Sequence, residues 1–283
     1  MKQTGKFLAG LLLISLLAAC SRQTDTIIVV SRELGSGTRA AFVELTGIMQ
    51  KTPDGETLDL ITDIAEITNS TAVMMQSIAD SVSAIGYISL GSLNDTVKAL
   101  TVDGVSPTTE NIKNGTYAIS RAFQIVTKGE QSKLAQDFIR FILSAEGQAV
   151  VESAGYVSAG NQGAYEGSSA EGKLVISGSS SVSPVMEKLK EAYVALHPAV
   201  TIEIHTSDST TGINTVIAGA CHIGMTSRTV TATETAKGVA PLTIAMDGIV
   251  VIVSKENPIS SLTKDQIRAV FKGEITSWNA LSE

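Results

Sequence analysis

Ser31-Arg32-Glu33-Leu34-Gly35-Ser36-Gly37-Thr38-Arg39 follows the apolar run Ile27 to Val30 and leads into the helix-like Ala40 to Leu45. The order predicts strand, loop, helix. A loop with two glycines and two hydroxyls at a helix start presents backbone N–H groups, the oxygens of Ser36 and Thr38 and the positive end of the helix dipole to an anion. Arg32 and Arg39 add charge. Similar strand ends recur downstream. Leu174 to Ile176 feeds Ser177-Gly178-Ser179-Ser180-Ser181-Val182-Ser183, with Pro184 where proline suits a first helical turn. Val200 to Ile204 feeds Thr206-Ser207-Asp208-Ser209-Thr210-Thr211-Gly212 and a helix from Ile213. Ile223-Gly224-Met225-Thr226-Ser227-Arg228 is a fourth strand end carrying a hydroxyl and a cation. Strands alternating with helices predict an α/β fold with largely parallel sheets, whose ligands lie at the carboxyl ends of strands. Four polar loops at those ends are more than turn chemistry requires, and they predict an oxyanion site.

The chain has 283 residues, 43% of them hydrophobic and 17% charged, with a formal net charge of −7. That length supports one large domain or two lobes with real cores. The acidic balance and the absence of clustered Lys/Arg argue against a nucleic-acid partner. A small anion is still accessible to an acidic protein, because short-range donors outweigh screened surface charge. Met1 to Ala19 has two lysines and then the apolar segment Phe7 to Ala19, the layout of a secretory leader. Leu17-Ala18-Ala19-Cys20 resembles the lipobox of bacterial lipoproteins, which implies an acylated Cys20 anchoring the protein to a membrane, with residues 20–25 as tether. Cys221, the other cysteine, then has no disulfide partner and reads as a buried structural thiol; no metal or cofactor is implied.

Farther along, Pro53-Asp54-Gly55 predicts a turn, Asn69 to Ile78 a helix, Ala84 to Leu90 a buried strand, and Phe123 to Thr127 another strand. Lys133 to Val151 shows one helical period, with Gly147 near its middle. Ser158 to Gly172 is polar and rich in Gly and Ser, the best linker in the chain.

Taken together, Gly178-Ser-Ser-Ser-Val-Ser-Pro184, Ser209-Thr-Thr-Gly-Ile213, Ile223 to Arg228, Asp247-Gly-Ile-Val-Val-Ile-Val253, Ile275-Thr-Ser-Trp-Asn279 and Ser31 to Arg39 resemble a known family. It is that of the phosphate-binding lipoproteins of bacterial phosphate ABC importers. Ile85-Gly-Tyr-Ile-Ser89 and Phe141 to Gly147 agree. The resemblance implies a two-lobed periplasmic-binding-protein fold with a hinge and a ligand cleft between lobes, in an extracytoplasmic, lipid-anchored monomer. Its partners would be inorganic phosphate and the importer's membrane permease. The order of the motifs departs from the family: they start at its middle and finish there, as in a circular permutation that joins the old termini through residues 158–172. The implied organisation is a split lobe from 26–93 and 254–283 around a continuous lobe, 94–253.

Carried over position by position, the resemblance places Arg32, Ser36, Gly37, Thr38, Ser180, Ser181 and Ser209 around phosphate. Ser227 stands where some members have a carboxylate, and Arg228 beside it is a second cation. Hydrogen phosphate carries a proton that sulfate lacks, so an acceptor-only group would select it. Asp247 is the candidate acceptor, with a turn or a pairing to Arg228 as its structural alternative. Another tetrahedral oxyanion such as sulfate or molybdate, or a phosphate-sensing surface lipoprotein without transport, are the nearer rivals. A hydrolase needs a base beside its serine, and His197, His205 and His222 lie in no such motif. A nucleotide enzyme needs a Gly-x-x-x-x-Gly-Lys-Ser/Thr loop, which does not occur.

Overall fold

A computed structural model describes residues 25–52, 57–169 and 171–281. The leader, Cys20 and the expected turn at Pro53 lie outside these residues. The main sheet contains, in chain order, β1 (Ile28–Arg32), β2 (Glu66–Thr68), β3 (Ala84–Ser89), β4 (Ser120–Lys128), β5 (Gly172–Ser179), β6 (Val200–Ser207), β7 (Ile223–Thr226) and β8 (Val239–Ser254). They lie side by side as β6-β5-β7-β4-β8-β3-β1-β2, and the short segments Val97–Ala99 and Val157–Ser158 add to β8. One wing is parallel through β2, β1 and β3, and the other through β6, β5 and β7. The two are joined by antiparallel pairing among β7, β4, β8 and β3.

Each wing has helices and its own core, which gives two lobes. Phe42, Tyr87, Leu100, Tyr117, Val251 and Phe271 belong to the first core; Phe123, Phe138, Leu174, Met186, Tyr193 and Ile223 belong to the second. The chain crosses between them at one level. β8 is paired with β4 as far as Gly248, opposite Ser120, and from Ile249 onward with β3. The lobes therefore exchange chain near Ser120 and Gly248. Residues 97–119, expected in the continuous lobe, pack into the first, as Leu100, Val102, Ile112 and Ile119 show, and so do Ile249, Val251 and Val253, with Val97, Val250 and Ile252 in a second cluster beside Val30 and Met74. The pairing of Val97–Ala99 with β8 that draws them there joins residues more than 150 positions apart, beyond the reach of local patterning.

Two other differences have local causes. The helix expected from Lys133 to Val151 is two, α3 (Lys133–Leu143) and α4 (Ala145–Ser153), because Ser144 is extended and caps the second through Gly147 N at 3.1 Å. A Cβ on Gly147 would lie 2.0 Å from Phe141 O, so the break needs glycine there. The segment expected as a linker is pinned to the second lobe. Tyr165 packs edge-on to Phe141, its hydroxyl donates to Asp137 Oδ2 at 2.7 Å, and Ser168 Oγ donates to the same oxygen at 2.6 Å. At the other end of the molecule Trp278 N donates to Asp25 O at 2.8 Å, which sets the described ends of the chain side by side. Among the described residues no helix is long and apolar enough to cross a membrane.

Candidate functional site

Four helices begin at the seam between the lobes. From the first lobe come α1 (Gly37–Leu45), capped by Ser36, and α2 (Thr71–Ala79), capped by Ser70. From the second come α5 (Ser183–Leu196), with Pro184 in its first turn, and α6 (Ser209–Ile217), capped by Asp208. Each follows a strand of a parallel wing, so each points its N-terminus at the strands' carboxyl ends, where first-turn N–H groups have no intrahelical acceptor. Close backbone contact seats α6. A Cβ on Gly212 would stand 2.7 Å from Gly178 Cα and 2.9 Å from Met225 O, so the helix can lie this near β5 only without a side chain.

The hydroxyls on these termini meet across the seam. Thr38 Oγ1 and Ser181 Oγ are 2.7 Å apart, and Thr71 Oγ1 is 3.5 Å from both Ser180 Oγ and Ser181 Oγ. Ser227 N donates to Ser209 Oγ at 3.0 Å, and Ser179 Oγ donates to Ser227 Oγ at 3.0 Å. Gly37 faces this pair, since a Cβ there would lie 2.2 Å from Ser209 Oγ and 2.7 Å from Ser227 Oγ. Arg32, 2% exposed, aims Nη2 at Ser180 Oγ, 3.2 Å away, and its Nε and Nη2 also donate to the Glu33 carboxylate. Its backbone is fixed from behind: Tyr87 Oη accepts from Arg32 N, and Arg39 Nη1 donates to Arg32 O at 2.7 Å. Arg39 thus braces the loop and pairs with Asp59, so of the two arginines expected to supply charge only Arg32 is turned to the hydroxyls.

The expected residues Arg32, Gly37, Thr38, Ser180, Ser181, Ser209 and Ser227 are brought together, while Ser36 is engaged in capping α1 through Arg39 N, and Arg228 and Asp247 are placed otherwise. Arg228 forms a fork on Glu234, with Nη1 and Nη2 at 3.0 and 2.7 Å from its oxygens, and Nη2 also donates to Thr210 Oγ1. Its charge is compensated and it holds the first turn of α6 in place. Asp247 is 1% exposed, accepts from Gly91 N in the turn Leu90–Ser92, and pairs with Arg121 rather than Arg228. Its Oδ1 accepts from Ser89 Oγ at 2.8 Å and its Oδ2 from Arg121 Nε and Nη2 at 3.3 and 3.2 Å, so both oxygens are engaged away from the hydroxyls. Burial pushes this carboxyl up to about 6 against the pull of Arg121. Arg121 in turn donates from Nη1 to Ser227 O at 3.2 Å and lies over the Phe123 ring. Asp247 and Arg121 are register partners on β8 and β4, one step from the level at which the lobes exchange chain.

With this geometry in view the comparisons with known proteins are specific. The PBP superfamily domain matches residues 21–146 and 163–283. The phosphate-binding protein PstS 2 of Streptococcus agalactiae serotype V is 50% identical over 97% of this chain and 96% of its own length. This chain belongs to the PBP superfamily, in the family of the PstS phosphate-binding proteins. The PstS 2 protein of Streptococcus pneumoniae serotype 4 is 42% identical over 93% of this chain and 91% of its own length. A crystal structure of a phosphate ABC transporter phosphate-binding protein from Streptococcus pneumoniae superposes with a TM-score of 0.71 at 43% identity, covering 90% of this chain and 99% of that one. The streptococcal relatives match nearly end to end, so the order of segments here is one they share.

Arg121, Thr71 and Ser179 contact this cluster, through Ser227 O, Ser180 and Ser181, and Ser227 respectively, and motif reading passed them over. For Arg121 a signal existed. In β4 the buried positions alternate as Arg121, Phe123 and Ile125, so the strand period itself puts a cation on the buried face, where it needs a partner. Glu234 gives a separate test of the Arg228 fork. The guanidinium holds its carboxyl down to about 2, and the two side chains are 14% and 13% exposed. A carboxyl depressed in the folded state contributes stability above its unfolded value of 4.5, and that stability is lost as pH falls toward 2. Glu234→Gln is expected to cost about 1 to 2 kcal/mol at pH 7, a few degrees in Tm. Melts from pH 7 to pH 3 should show the gap to the parent protein narrowing below about pH 4.5. A gap that does not change with pH would remove the ion pair as its source.

Proposed function

We propose that this chain captures inorganic phosphate between its two lobes and hands it to the permease of an ABC importer. The observation that carries the proposal is the meeting of Thr38 with Ser181 and of Arg32 with Ser180, which sets one cation and hydroxyls from both lobes at four helix N-termini. Charge-assisted hydrogen bonds contribute about 1.5 to 3 kcal/mol each, so a handful, less dehydration and closure, gives a dissociation constant near micromolar or tighter. Ligands from two lobes make the anion itself the link that holds the cleft shut, and a shut cleft is a shape that a permease can distinguish from an open one. The names of the streptococcal relatives and of the Streptococcus pneumoniae structure support the ligand. A binding rather than a catalytic role fits the histidines, which are all engaged elsewhere: His197 on Tyr165, His205 beside Glu203, and His222 accepting from Val175 N.

The same proposal includes the lipid anchor on Cys20, an extracytoplasmic monomer, and a chain order that is a circular permutation of other members of the family. The adjacency of Asp25 and Trp278 near the described ends supports the last, since new ends opened by a cut within a folded chain stay side by side. Sulfate is the second candidate ligand. Among the described residues every hydrogen-bond partner of the Thr38, Ser180, Ser181, Ser209 and Ser227 hydroxyls is a hydroxyl or an N–H group, with no carboxylate to accept a phosphate proton. Isothermal titration of anion-free protein with phosphate and with sulfate tests the assignment. Micromolar or tighter binding of phosphate, tighter than that of sulfate, is expected. The reverse preference would transfer the site to sulfate.

A further inference from the structure

Tyr156 follows α4 and belongs to the core of the second lobe, where its ring lies 5.5 Å from that of Phe123, centroid to centroid. Its far end meets the first lobe. A Cβ on Gly91 would stand 2.1 Å from Tyr156 Cζ and 2.4 Å from Oη, so the phenol head rests on bare glycine backbone. Gly91 is fixed in its turn: it lies in Leu90–Ser92, directly after β3, and its N–H donates to Asp247. Leu90 packs against the first lobe's cores, and Ser92 helps line the space between the lobes together with Ser180 and Pro184. Tyr156 on Gly91 is therefore a contact between lobes, beside the level at which the chain crosses.

Two hydroxyls are left over at this contact. Tyr156 is 2% exposed and its Oη has no hydrogen-bond partner, and the buried Ser92 Oγ has none either. Among the described residues only Gln124 Oε1 shares that condition, so the shortfall is concentrated here rather than spread through the protein. The Ser89 and Ser92 hydroxyls stand near Tyr156 Oη, but Ser89 Oγ is turned to Asp247 Oδ1 and Ser92 does not reach hydrogen-bond geometry. Burial and the charge of Asp247 push the phenol up, so it keeps a proton that finds no acceptor.

A buried polar group without a partner suffers its full desolvation penalty, and water relieves it. Separating Gly91 from Tyr156 would uncover both hydroxyls. The penalty therefore falls on the arrangement in which the lobes meet, with Thr38 and Ser181 at hydrogen-bond distance, and is absent from an open one. We infer that the Tyr156 hydroxyl, together with that of Ser92, opposes closure of the lobes, a bias toward the open form that the bound anion has to overcome. The inference rests on the phosphate reading for the identity of the ligand, while the bias belongs to the chain. Apparent affinity is the affinity of the closed form scaled by the fraction that is closed, so Tyr156 weakens binding without touching the anion. For a protein that must give up its ligand the effect is useful, because opening restores the solvation of two hydroxyls.

The test is calorimetric titration of the anion-free parent, Tyr156→Phe and Ser92→Ala with inorganic phosphate and with sulfate, beside melts of each protein without ligand. Tyr156→Phe deletes the hydroxyl and keeps the ring against Phe123 and Gly91. It should bind phosphate about three- to tenfold more tightly than the parent, and Ser92→Ala should shift affinity in the same direction. The ligand-free Tm of Tyr156→Phe should stay within about 1 °C of the parent, since in the open form water serves the hydroxyl. Unchanged affinity with a raised ligand-free Tm would make the hydroxyl a fault of the core in both forms and overturn the inference. Weaker binding would overturn it too, by giving the hydroxyl a favourable partner in the closed form. If sulfate binds and phosphate does not, the phosphate assignment falls and the same comparison made with sulfate decides the inference. Binding of neither anion would take down both.

Discussion

Gly37→Ala should weaken phosphate binding by about a hundredfold or more, some 2.7 kcal/mol, without lowering the stability of the ligand-free protein. Gly37 is the first residue of α1, and its backbone is ordinary helix, so alanine is compatible there and is favoured over glycine by about 0.5 to 1 kcal/mol. The added methyl has nowhere to go once the lobes meet. It would stand 2.2 Å from Ser209 Oγ and 3.0 Å from Ser209 Cβ. The oxygen could rotate away, but the Cβ is fixed by α6, which is held against β5 through Gly212 and Gly178. Relief therefore comes from leaving the cleft ajar, and the Thr38 to Ser181 and Arg32 to Ser180 contacts across the seam are lost with it. Calorimetric titration measures the binding loss. Melts without ligand should be unchanged or slightly raised, and the rise in Tm on adding phosphate should shrink. A variant that binds phosphate like the parent would show that the lobes do not need to approach this closely.

How much of this was legible in the sequence follows the distance over which each feature is determined. The Ser31 to Arg39 loop, the Ser177 to Ser183 loop and the Ser209 helix start are local: a strand, a polar turn and a helix N-terminus each follow from a dozen neighbouring residues, and all lie where expected. Their convergence followed from parallel α/β topology, which puts all such loops at one end of the sheet. What was not legible depends on pairing between distant strands. The lobe boundary near Ser120 rests on the register of β4 with β8, and the partner of Asp247 is set by the same register. Local patterning offered Arg228 as that partner because it sits beside Ser227. The structure gives Arg228 to Glu234, six residues on, and Asp247 to Arg121, across the sheet. Composition gave no sign of the place of Tyr165, which packs against Phe141, Tyr193 and His197 from within a Gly- and Ser-rich stretch.

Asp247→Ala should be the most destabilising single change near the cleft, at about 3 to 5 kcal/mol, or roughly 10 °C in Tm. The side chains of Asp247 and Arg121 are 0% and 4% exposed. Removing the carboxylate leaves a guanidinium buried beside Phe123 with Ser227 O as its remaining neutral acceptor, and deprives Ser89 Oγ of its partner. The pair would then matter to stability first and to ligand choice second. Were Asp247 the acceptor for the phosphate proton, its removal would instead narrow the gap between phosphate and sulfate affinities at modest cost in stability. The double variant Arg121→Met/Asp247→Leu separates the two roles. Replacing a buried ion pair by apolar side chains of similar size is often neutral or stabilising, so most of the lost stability should return. Phosphate affinity should not return with it: Ser227 O has lost the Arg121 donor that fixes its loop against Ser209, and the level at which β8 passes from one lobe to the other has lost its internal charge. An affinity about tenfold below the parent in a double variant of near-parent Tm would assign Arg121 to positioning Ser227. Recovery of both would make the pair a stabiliser of the crossing alone.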